Sequence, residues 1–320
     1  MKLERPNTFG NPVLLSDGIG SAGKRMLAHI LASFGNVEKM SHHFVFDYIA
    51  HLHWLGHVTD DAAIAYLQLE ADLQTYQLML SRDQNFRPGD TTSIFSDPRP
   101  LRYLRRLWRD EGDATSRFIL ETKPVLHEST HDGLRNATLY FSAFKSRLKL
   151  CHIIRHPVDL IIDLDRRGFG SREGTDPREF QFTLTRDGGP VVIALKDMET
   201  DLRGLPGIEI AAYLVRESMR LNLHGYEVLN QIHQKDVRFV FFDDLCSEPH
   251  KLARELSQFL GQPTTRFTNR AIRREKLPRL GLNRSLTRKE LLRRLSSQTR
   301  NVLEEAESLY CDFATAQNRH

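Results

Sequence analysis

A glycine-rich loop at residues 18–25 is the feature that most constrains what this chain can fold into. It follows a short apolar run at residues 13–15 and opens a helical pattern at residues 26–31. Strand, glycine loop and helix in this order form a phosphate-binding loop, in which backbone N–H groups at the helix start face an anion. We therefore predict a phosphate site formed by Gly20, Ser21, Ala22, Gly23, Lys24 and Arg25.

The last residue of this loop, Arg25, limits the kinds of reaction that the loop can support. A nucleotide kinase has Ser or Thr directly after the loop lysine, where the hydroxyl binds Mg²⁺. This chain has Arg25 there, which favours a transfer from a nucleotide donor that needs no metal. The spacing from Gly18 to Lys24 is nevertheless that of a kinase loop. A P-loop kinase that uses ATP and Mg²⁺ therefore stays open as the alternative.

Composition and charge exclude several classes of protein. The net charge of +4 is mild, and no basic run with interleaved aromatic residues indicates binding to nucleic acid. No apolar stretch approaches the roughly 20 residues of a membrane span, and the first residues lack the apolar core of a secretory signal. Three widely spaced cysteines favour a cytoplasmic protein. The arginine-rich helical segments are compatible with a homodimer as well as with solvent.

Strand-like and helical segments alternate along the chain. This alternation predicts a three-layer α/β fold, with a central, mostly parallel sheet and helices on both faces. Strands are expected at residues 13–15, 118–121, 149–154 and 237–242, and ligands of such a sheet bind at the carboxyl ends of its strands. A hairpin signature around residues 187–189 predicts an insertion at about 166–195. We expect a single domain over residues 1–320, elaborated at about 40–110 and 166–195.

Two later segments follow the loop in a characteristic order. One is a strand that ends in Arg155 and is followed by Pro157 and Asp159. The other is a strand followed by residues 243–245, with a helix that closes at residues 259–261. Together with the loop, these segments resemble the P-loop sulfotransferase family over residues 12–261. The resemblance implies that a sulfuryl group passes from 3′-phosphoadenosine 5′-phosphosulfate, without a metal, to a hydroxyl or amine of a carbohydrate, lipid or small metabolite.

The resemblance also implies how the donor is held. The loop would bind the 5′-phosphosulfate, and Arg155 would bind the 3′-phosphate with the two-pronged geometry of a guanidinium. Ser21 departs from the family, which usually has Lys or Arg there, and Lys24 would supply the missing charge. Arg273 and Arg274 fall where the family often has a loop that closes over the nucleotide, so we expect them to contact it.

Asp163 is the second departure, because the family commonly has serine at this position near the 3′-phosphate. A carboxylate there repels the phosphate unless an arginine intervenes, and Arg166 and Arg167 are the candidates. Either the 3′-phosphate is held differently or the donor lacks one. A non-catalytic nucleotide-binding protein of the same fold also stays open, since both Ser21 and Asp163 depart from the family pattern.

Transfer to a hydroxyl needs a general base within hydrogen-bond reach. The predicted strand at 118–121 leads into Glu121, Lys123 and His127, the region where the family places its base. We prefer His127, because an ordinary histidine pKa near 6.5 suits proton transfer. Glu121 is the alternative and would need its pKa raised by burial. Lys123 is expected to stabilise the transferring sulfuryl group, and Lys24 the leaving oxygen.

Five histidines between residues 42 and 57 raise the question of a metal. His53 and His57 would share one helical face, but no adjacent glutamate or cysteine completes a ligand set. We therefore predict that the protein has no metal site.

Overall fold

The central sheet is built around β1 (Val13–Asp17), which is buried along its whole length. The computed structural model describes residues 1–169, 172, 176–186, 189–198, 202–279 and 284–317. Within them, β1 pairs in parallel with β2 (Leu126–Ser129) and β3 (Leu148–Ile154), and β3 pairs with β6 (Val237–Phe241). The strand order is β2–β1–β3–β6. Because the strands are parallel, their carboxyl ends meet at one edge.

Helices cover both faces of this sheet. The helices are α1 (Lys24–Leu31), α2 (Val45–Trp54), α3 (Asp60–Met79), α4 (Pro100–Arg106), α5 (Asp113–Thr122), α6 (Ala137–Phe144), α7 (Pro157–Arg166), α8 (Gly207–Glu227), α9 (Gln231–Gln234), α10 (Phe242–Ser247), α11 (Pro249–Leu260), α12 (Thr268–Arg274), α13 (Arg284–Arg294) and α14 (Ser297–Gln317). Alternation along β1 separates the two faces. Val13 and Leu15 pack into one apolar core with α3, α6, α7, α8 and α14, whereas Leu14 packs into another with α1, α11 and α12. The predicted α/β fold is confirmed.

The strand predicted at residues 118–121 is wrong. These residues lie in α5, and the strand of this region is β2, which begins only at Leu126. Ile119 is fully buried, whereas Leu120 is exposed, as expected for a helix that rests one side on the core. Three consecutive apolar residues are too few to distinguish a strand from such a helix.

The predicted hairpin occurs next to the carboxyl edge of the sheet. Strands β4 (Thr183–Arg186) and β5 (Gly189–Val192) pair antiparallel, while Asp187 and Gly188 of the predicted turn lie outside the described residues. Among the helices that the structure describes, none has the length and apolar character needed to cross a membrane. The single-domain organisation stays a prediction.

Gly225 is the point of closest approach between α8 and the segment before α6. A Cβ at this position would overlap the carbonyl oxygen of Leu134 and lie 2.8 Å from the Cα of Arg135. Since backbone cannot swing aside, we expect Gly225→Ala to lower the free energy of unfolding by about 1–3 kcal/mol in urea denaturation.

Gly207 is the matched control, at the first turn of the same helix. A Cβ there would have its nearest neighbour at 3.9 Å, which is ordinary van der Waals contact. Gly207→Ala is expected to leave stability unchanged or raise it by up to about 1 kcal/mol, because alanine is the better helix former. Equal losses in the two variants would contradict this account of α8 packing.

Candidate nucleotide-binding and transfer site

A cleft of about 660 Å³ lies at the carboxyl edge of the sheet. One side is lined by loop residues Gly20, Ser21, Gly23, Lys24 and Arg25. Arg155, which follows β3, and Phe242, which follows β6, also line it. Open parallel sheets bind their ligands at this edge. Ala22 is the exception among the predicted loop residues, because it is buried and its N–H donates to the carbonyl of Ile19.

Two glycines determine the path of the loop. Gly18 has a φ of +145°, and a Cβ there would lie 2.7 Å from the carbonyl oxygen of Ile153 in β3. Gly23 has a φ of +107°, and a Cβ there would lie 2.6 Å from the ring of Phe242. Both positions exclude any larger residue. The loop therefore packs closely against β3 and the start of α10, and the amino end of α1 faces the cleft, as an anion site requires.

Lys24 lies at the loop side of the cleft and reaches the end of β2. Its Nζ donates a hydrogen bond of 2.6 Å to the carbonyl oxygen of Thr130. Burial lowers the pKa of Lys24 to about 8, although the carboxylates of Asp17, Asp47 and Asp132 oppose the shift. A bound anion would restore the charged form that burial disfavours. Lys24 is therefore suited to hold a phosphate or a sulfate.

Arg155 connects β3 to the glycine loop. One Nη donates to the carbonyl oxygen of Ser21 at 2.8 Å, and the guanidinium carbon lies 4.9 Å from the ring centre of Phe242. Its Nε is buried and has no acceptor among the residues that the structure describes. A buried donor without an acceptor is costly, so this group favours an anionic ligand beside it.

Asp163, the carboxylate expected to repel a phosphate, is held between two arginines. Its Oδ2 lies 3.4 Å from the nearest nitrogen of Arg155 and also 3.4 Å from that of Arg167. Of the two arginines predicted to compensate the charge of Asp163, Arg166 and Arg167, it is Arg167 that pairs with it. The negative charge of Asp163 is offset inside the protein before any ligand arrives.

Sequence reasoning missed a cluster of two histidines that line the cleft and one buried carboxylate beside them, which we call the His–Asp cluster (His42, Asp47 and His131). The backbone N–H of His131 donates to Asp47 Oδ1 at 3.1 Å, and its Nδ1 lies 3.3 Å from Oδ2. The Nε2 of His42 lies 3.5 Å from the same Oδ2. Burial alone would raise the pKa of Asp47, but the two histidines and Lys24 lower it well below its usual range. Burial and Lys24 together lower the pKa of His131, which keeps the imidazole neutral.

The donor atoms of the His–Asp cluster all lie within 4.8 Å of one another. Two histidines and one carboxylate are also a known ligand set for transition metals. The ammonium of Lys24 acts on both Asp47 and His131, however, and it would repel a dication at this place. The sequence hid this grouping, because His131 follows β2 and lies far along the chain from the other two residues. The absence of a metal stays a prediction.

Three residues predicted for catalysis lie outside the cleft. His127 is fully buried inside β2, where its Nε2 lies 2.7 Å from the hydroxyl of Ser16 and burial lowers its pKa to about 3. Glu121 is exposed at the end of α5, and Lys123 donates to the carbonyl of Phe9 at 2.6 Å. Glu121 and Lys123 come before β2 rather than after it, which places them at the opposite edge of the sheet from the cleft. We therefore correct the assignment of all three.

Arg273 and Arg274 are exposed on α12, and neither lines the cleft. Arg274 instead donates to the carbonyl of Ser96 at 2.7 Å. Arg279 does line the cleft, with its guanidinium carbon 5.6 Å from the ring centre of Phe242. Residues 280–283, which follow Arg279, lie outside the described residues. Arg273 and Arg274 therefore do not lie where the predicted nucleotide contact requires them, whereas Arg279 does line the cleft.

Several solved structures are similar to this chain at low sequence identity. The sulfotransferase domain from the Synechococcus PCC 7002 olefin synthase is 12% identical, with a TM-score of 0.49 over 98% of each chain. The sulfotransferase domain from the curacin biosynthetic pathway is 13% identical, with a TM-score of 0.47 over 97% of this chain and 93% of that one. Sulfotransferase STF1 from Mycobacterium tuberculosis H37Rv is 10% identical, with a TM-score of 0.42 over 90% and 76%. No family model and no curated protein match the sequence. At this level of likeness, function has to be argued from the site.

Anion binding in the cleft is expected to depend on pH through Lys24. The bound anion favours the charged ammonium, whose pKa in the free protein is about 8. Affinity for inorganic sulfate, which does not itself titrate near neutral pH, should be constant below pH 8. It should then fall by up to about tenfold per pH unit above that value in calorimetric titrations.

Lys24→Arg is the control for this titration, since a guanidinium keeps its charge at these pH values. The variant should bind sulfate without the alkaline loss. A wild-type affinity that stays flat from pH 7 to pH 10 would contradict the assignment of Lys24 to the anion.

Proposed function

We propose that this protein is a sulfotransferase that moves a sulfuryl group from 3′-phosphoadenosine 5′-phosphosulfate to a hydroxyl or amine, without a metal. The observation that carries the proposal is that one cleft brings together the glycine loop with Lys24, Arg155 after the neighbouring strand β3, and both histidines of the His–Asp cluster. These parts supply two cationic positions for the donor and a neutral base for the acceptor.

The two cationic positions match a donor with two anionic groups. The loop, Lys24 and Arg25 form the first position, where the 5′-phosphosulfate would lie. Arg155 forms the second, where its buried Nε remains for the 3′-phosphate. The bond from Arg155 to Ser21 keeps the two positions adjacent. Positioning and charge neutralisation of this kind supply most of the catalysis in group transfers between phosphate-like donors and hydroxyls.

His131 is the base that this geometry favours. When Nδ1–H faces the carboxylate of Asp47, Nε2 carries the lone pair that accepts a proton. In the proposed step the acceptor oxygen bonds to sulfur, and the bond from sulfur to the bridging phosphate oxygen breaks. The acceptor proton passes to Nε2 of His131, and the bisphosphate leaves with its charge stabilised by Lys24 and the loop. Asp47 acts through His131 and is a positioning residue.

A P-loop kinase is the alternative that the loop spacing keeps open. It needs a carboxylate for Mg²⁺ at a strand end, and the sequence offers Asp243 and Asp244 shortly after β6. Asp243 is paired with Arg284 at 2.9 Å, and neither aspartate lines the cleft. Asp132, which follows β2 and does line the cleft, is paired with His51 at 2.8 Å and with Arg135 at 3.1 Å. Our proposal therefore stays with metal-independent transfer, and a measurement of turnover tests the non-catalytic alternative.

Nucleotide preference tests the donor assignment. Calorimetric titration should give tight binding of 3′-phosphoadenosine 5′-phosphate that is unchanged by Mg²⁺ or by EDTA, and weaker binding of ADP and ATP. Arg155→Ala should weaken binding of the bisphosphate about 10- to 100-fold, because charge-assisted hydrogen bonds are lost. Arg273→Ala, which removes an exposed arginine outside the cleft, should leave the affinity unchanged.

The other outcomes of this titration are decisive as well. Mg²⁺-dependent binding of ATP without preference for the bisphosphate would overturn the sulfotransferase proposal and support the kinase. Loss of binding on EDTA treatment, with recovery on added Zn²⁺, would assign the His–Asp cluster to a metal. Binding of no nucleotide would mean that the loop has a structural role only.

Removal of the base tests the proposed chemistry. His131→Ala should lower the rate of sulfuryl transfer by about 10²–10⁴-fold, the usual contribution of a general base, while leaving affinity for the bisphosphate within a few-fold of wild type. The measurement is bisphosphate release in the presence of donor and acceptor alcohol. His57→Ala, at an exposed histidine outside the cleft, is the control. An undiminished rate in His131→Ala would place the base elsewhere.

A further inference from the structure

Four aromatic side chains form a continuous wall at the cleft, which we call the aromatic wall (Phe44, Tyr48, Phe180 and Phe182). Ring centres lie 5.7 Å apart for Phe44 and Tyr48, 5.9 Å for Phe44 and Phe180, and 5.1 Å for Tyr48 and Phe182. The hydroxyl of Tyr48 donates to the carbonyl of Phe180 at 2.8 Å. Helix α2 and the segment before the hairpin are thus joined by one aromatic surface.

Much of this aromatic surface is exposed to solvent. Phe180 is 60% exposed and Phe44 is 36% exposed, and both line the cleft. Aliphatic side chains and one further aromatic ring extend the apolar lining; they are Met40, Leu164, Phe169, Val192, Ile193, Ala194 and Leu214. A contiguous exposed apolar surface inside a cleft indicates a ligand with an apolar body.

The charged side chains around the wall already have partners. Arg178 pairs with Asp176 at 2.6 Å, and Glu179 pairs with Arg172 at 2.7 Å. The polar group of the wall itself, the Tyr48 hydroxyl, is used by Phe180. A charged acceptor beside the wall would compete with these ion pairs. The exposed rings of Phe44 and Phe180 are an apolar surface that is available for binding.

The wall leads directly to the proposed base. The ring of Phe44 lies 4.3 Å from that of His42, and His42 lies 4.9 Å from His131. A molecule that rests its apolar body on Phe44 and Phe180 can therefore present a hydroxyl to His131. We propose that the acceptor is an uncharged alcohol with an aryl or alkyl body, bound by the aromatic wall; this inference rests on the proposed function.

The test measures acceptor binding separately from donor binding. Protein saturated with 3′-phosphoadenosine 5′-phosphate is titrated with 2-naphthol, 1-octanol and methyl β-D-glucoside, followed by saturation-transfer NMR and calorimetry. We expect one or both apolar alcohols to bind and the glucoside not to bind. Tighter binding of 2-naphthol identifies an aryl body, and tighter binding of 1-octanol identifies an alkyl one.

Variants of the wall then locate the binding site. Phe180→Ala should weaken binding of the preferred alcohol about tenfold, since it removes an aromatic contact surface. Phe44→Leu, which keeps an apolar side chain, should weaken 2-naphthol more than 1-octanol. Affinity for the bisphosphate should stay unchanged in both variants. Trp108→Ala, at an aromatic residue that is 81% exposed and does not line the cleft, should have no effect.

The outcomes separate this inference from the function on which it rests. Binding of the bisphosphate together with the glucoside alone would overturn the inference and leave the sulfotransferase proposal standing. Alcohol binding that is unaffected by Phe180→Ala would also overturn it. If no bisphosphate binds, the proposed function fails, and titration of the nucleotide-free protein with the same alcohols still tests the wall.

Discussion

The cleft depends on one buried carboxylate, Asp17, at the end of β1. It accepts hydrogen bonds from the Thr130 hydroxyl at 2.8 Å and from the backbone N–H of Leu134 at 2.9 Å, and it pairs with Nδ1 of His152 in β3 at 2.6 Å. Burial alone would raise the pKa of Asp17, but His152 and Lys24 outweigh burial and keep it charged. A charged group that is this fully hydrogen-bonded holds its partners rigidly. Asp17, at the end of β1, therefore holds the segment after β2 in place and also binds β3 through His152.

That segment carries the groups on which the proposed chemistry depends. The Thr130 carbonyl receives Lys24, and the next residue is His131. Lys24 lowers the pKa of His131 and also helps to keep Asp47 ionised. The same ammonium that would bind the donor thus adds to the effect of burial in lowering the pKa of the proposed base. The proposed donor site and the proposed base are therefore coupled electrostatically, because the charge of Lys24 acts on both His131 and Asp47.

The parts of the fold that could be predicted from the sequence are those with local signatures. Three segments combine a strand with residues that mark its end: β1 with the glycine loop, β3 with Arg155, and β6 with the first residues of α10. Strand β2 has no such signature, because its buried residues include His127 and Glu128. Their burial is made possible by partners far away in the chain, the Ser16 hydroxyl at 2.7 Å and the imidazole of His43 at 2.9 Å. Polar partners that lie far away in the chain produce no periodic pattern in the sequence of the strand itself.

The wrong assignment of the base follows from the failure to predict β2 and not from a wrong principle. The rule that reactive side chains follow strands at the carboxyl edge selected His127, with Glu121 as the alternative, when the strand was placed at 118–121. Applied to β2, which ends at Ser129, the same rule selects His131. Asp47, which orients it, comes from α2, so only the fold brings the pair together. A local pattern can therefore locate the glycine loop, whereas the proposed acceptor side of the cleft is defined by contacts between segments that the sequence keeps far apart.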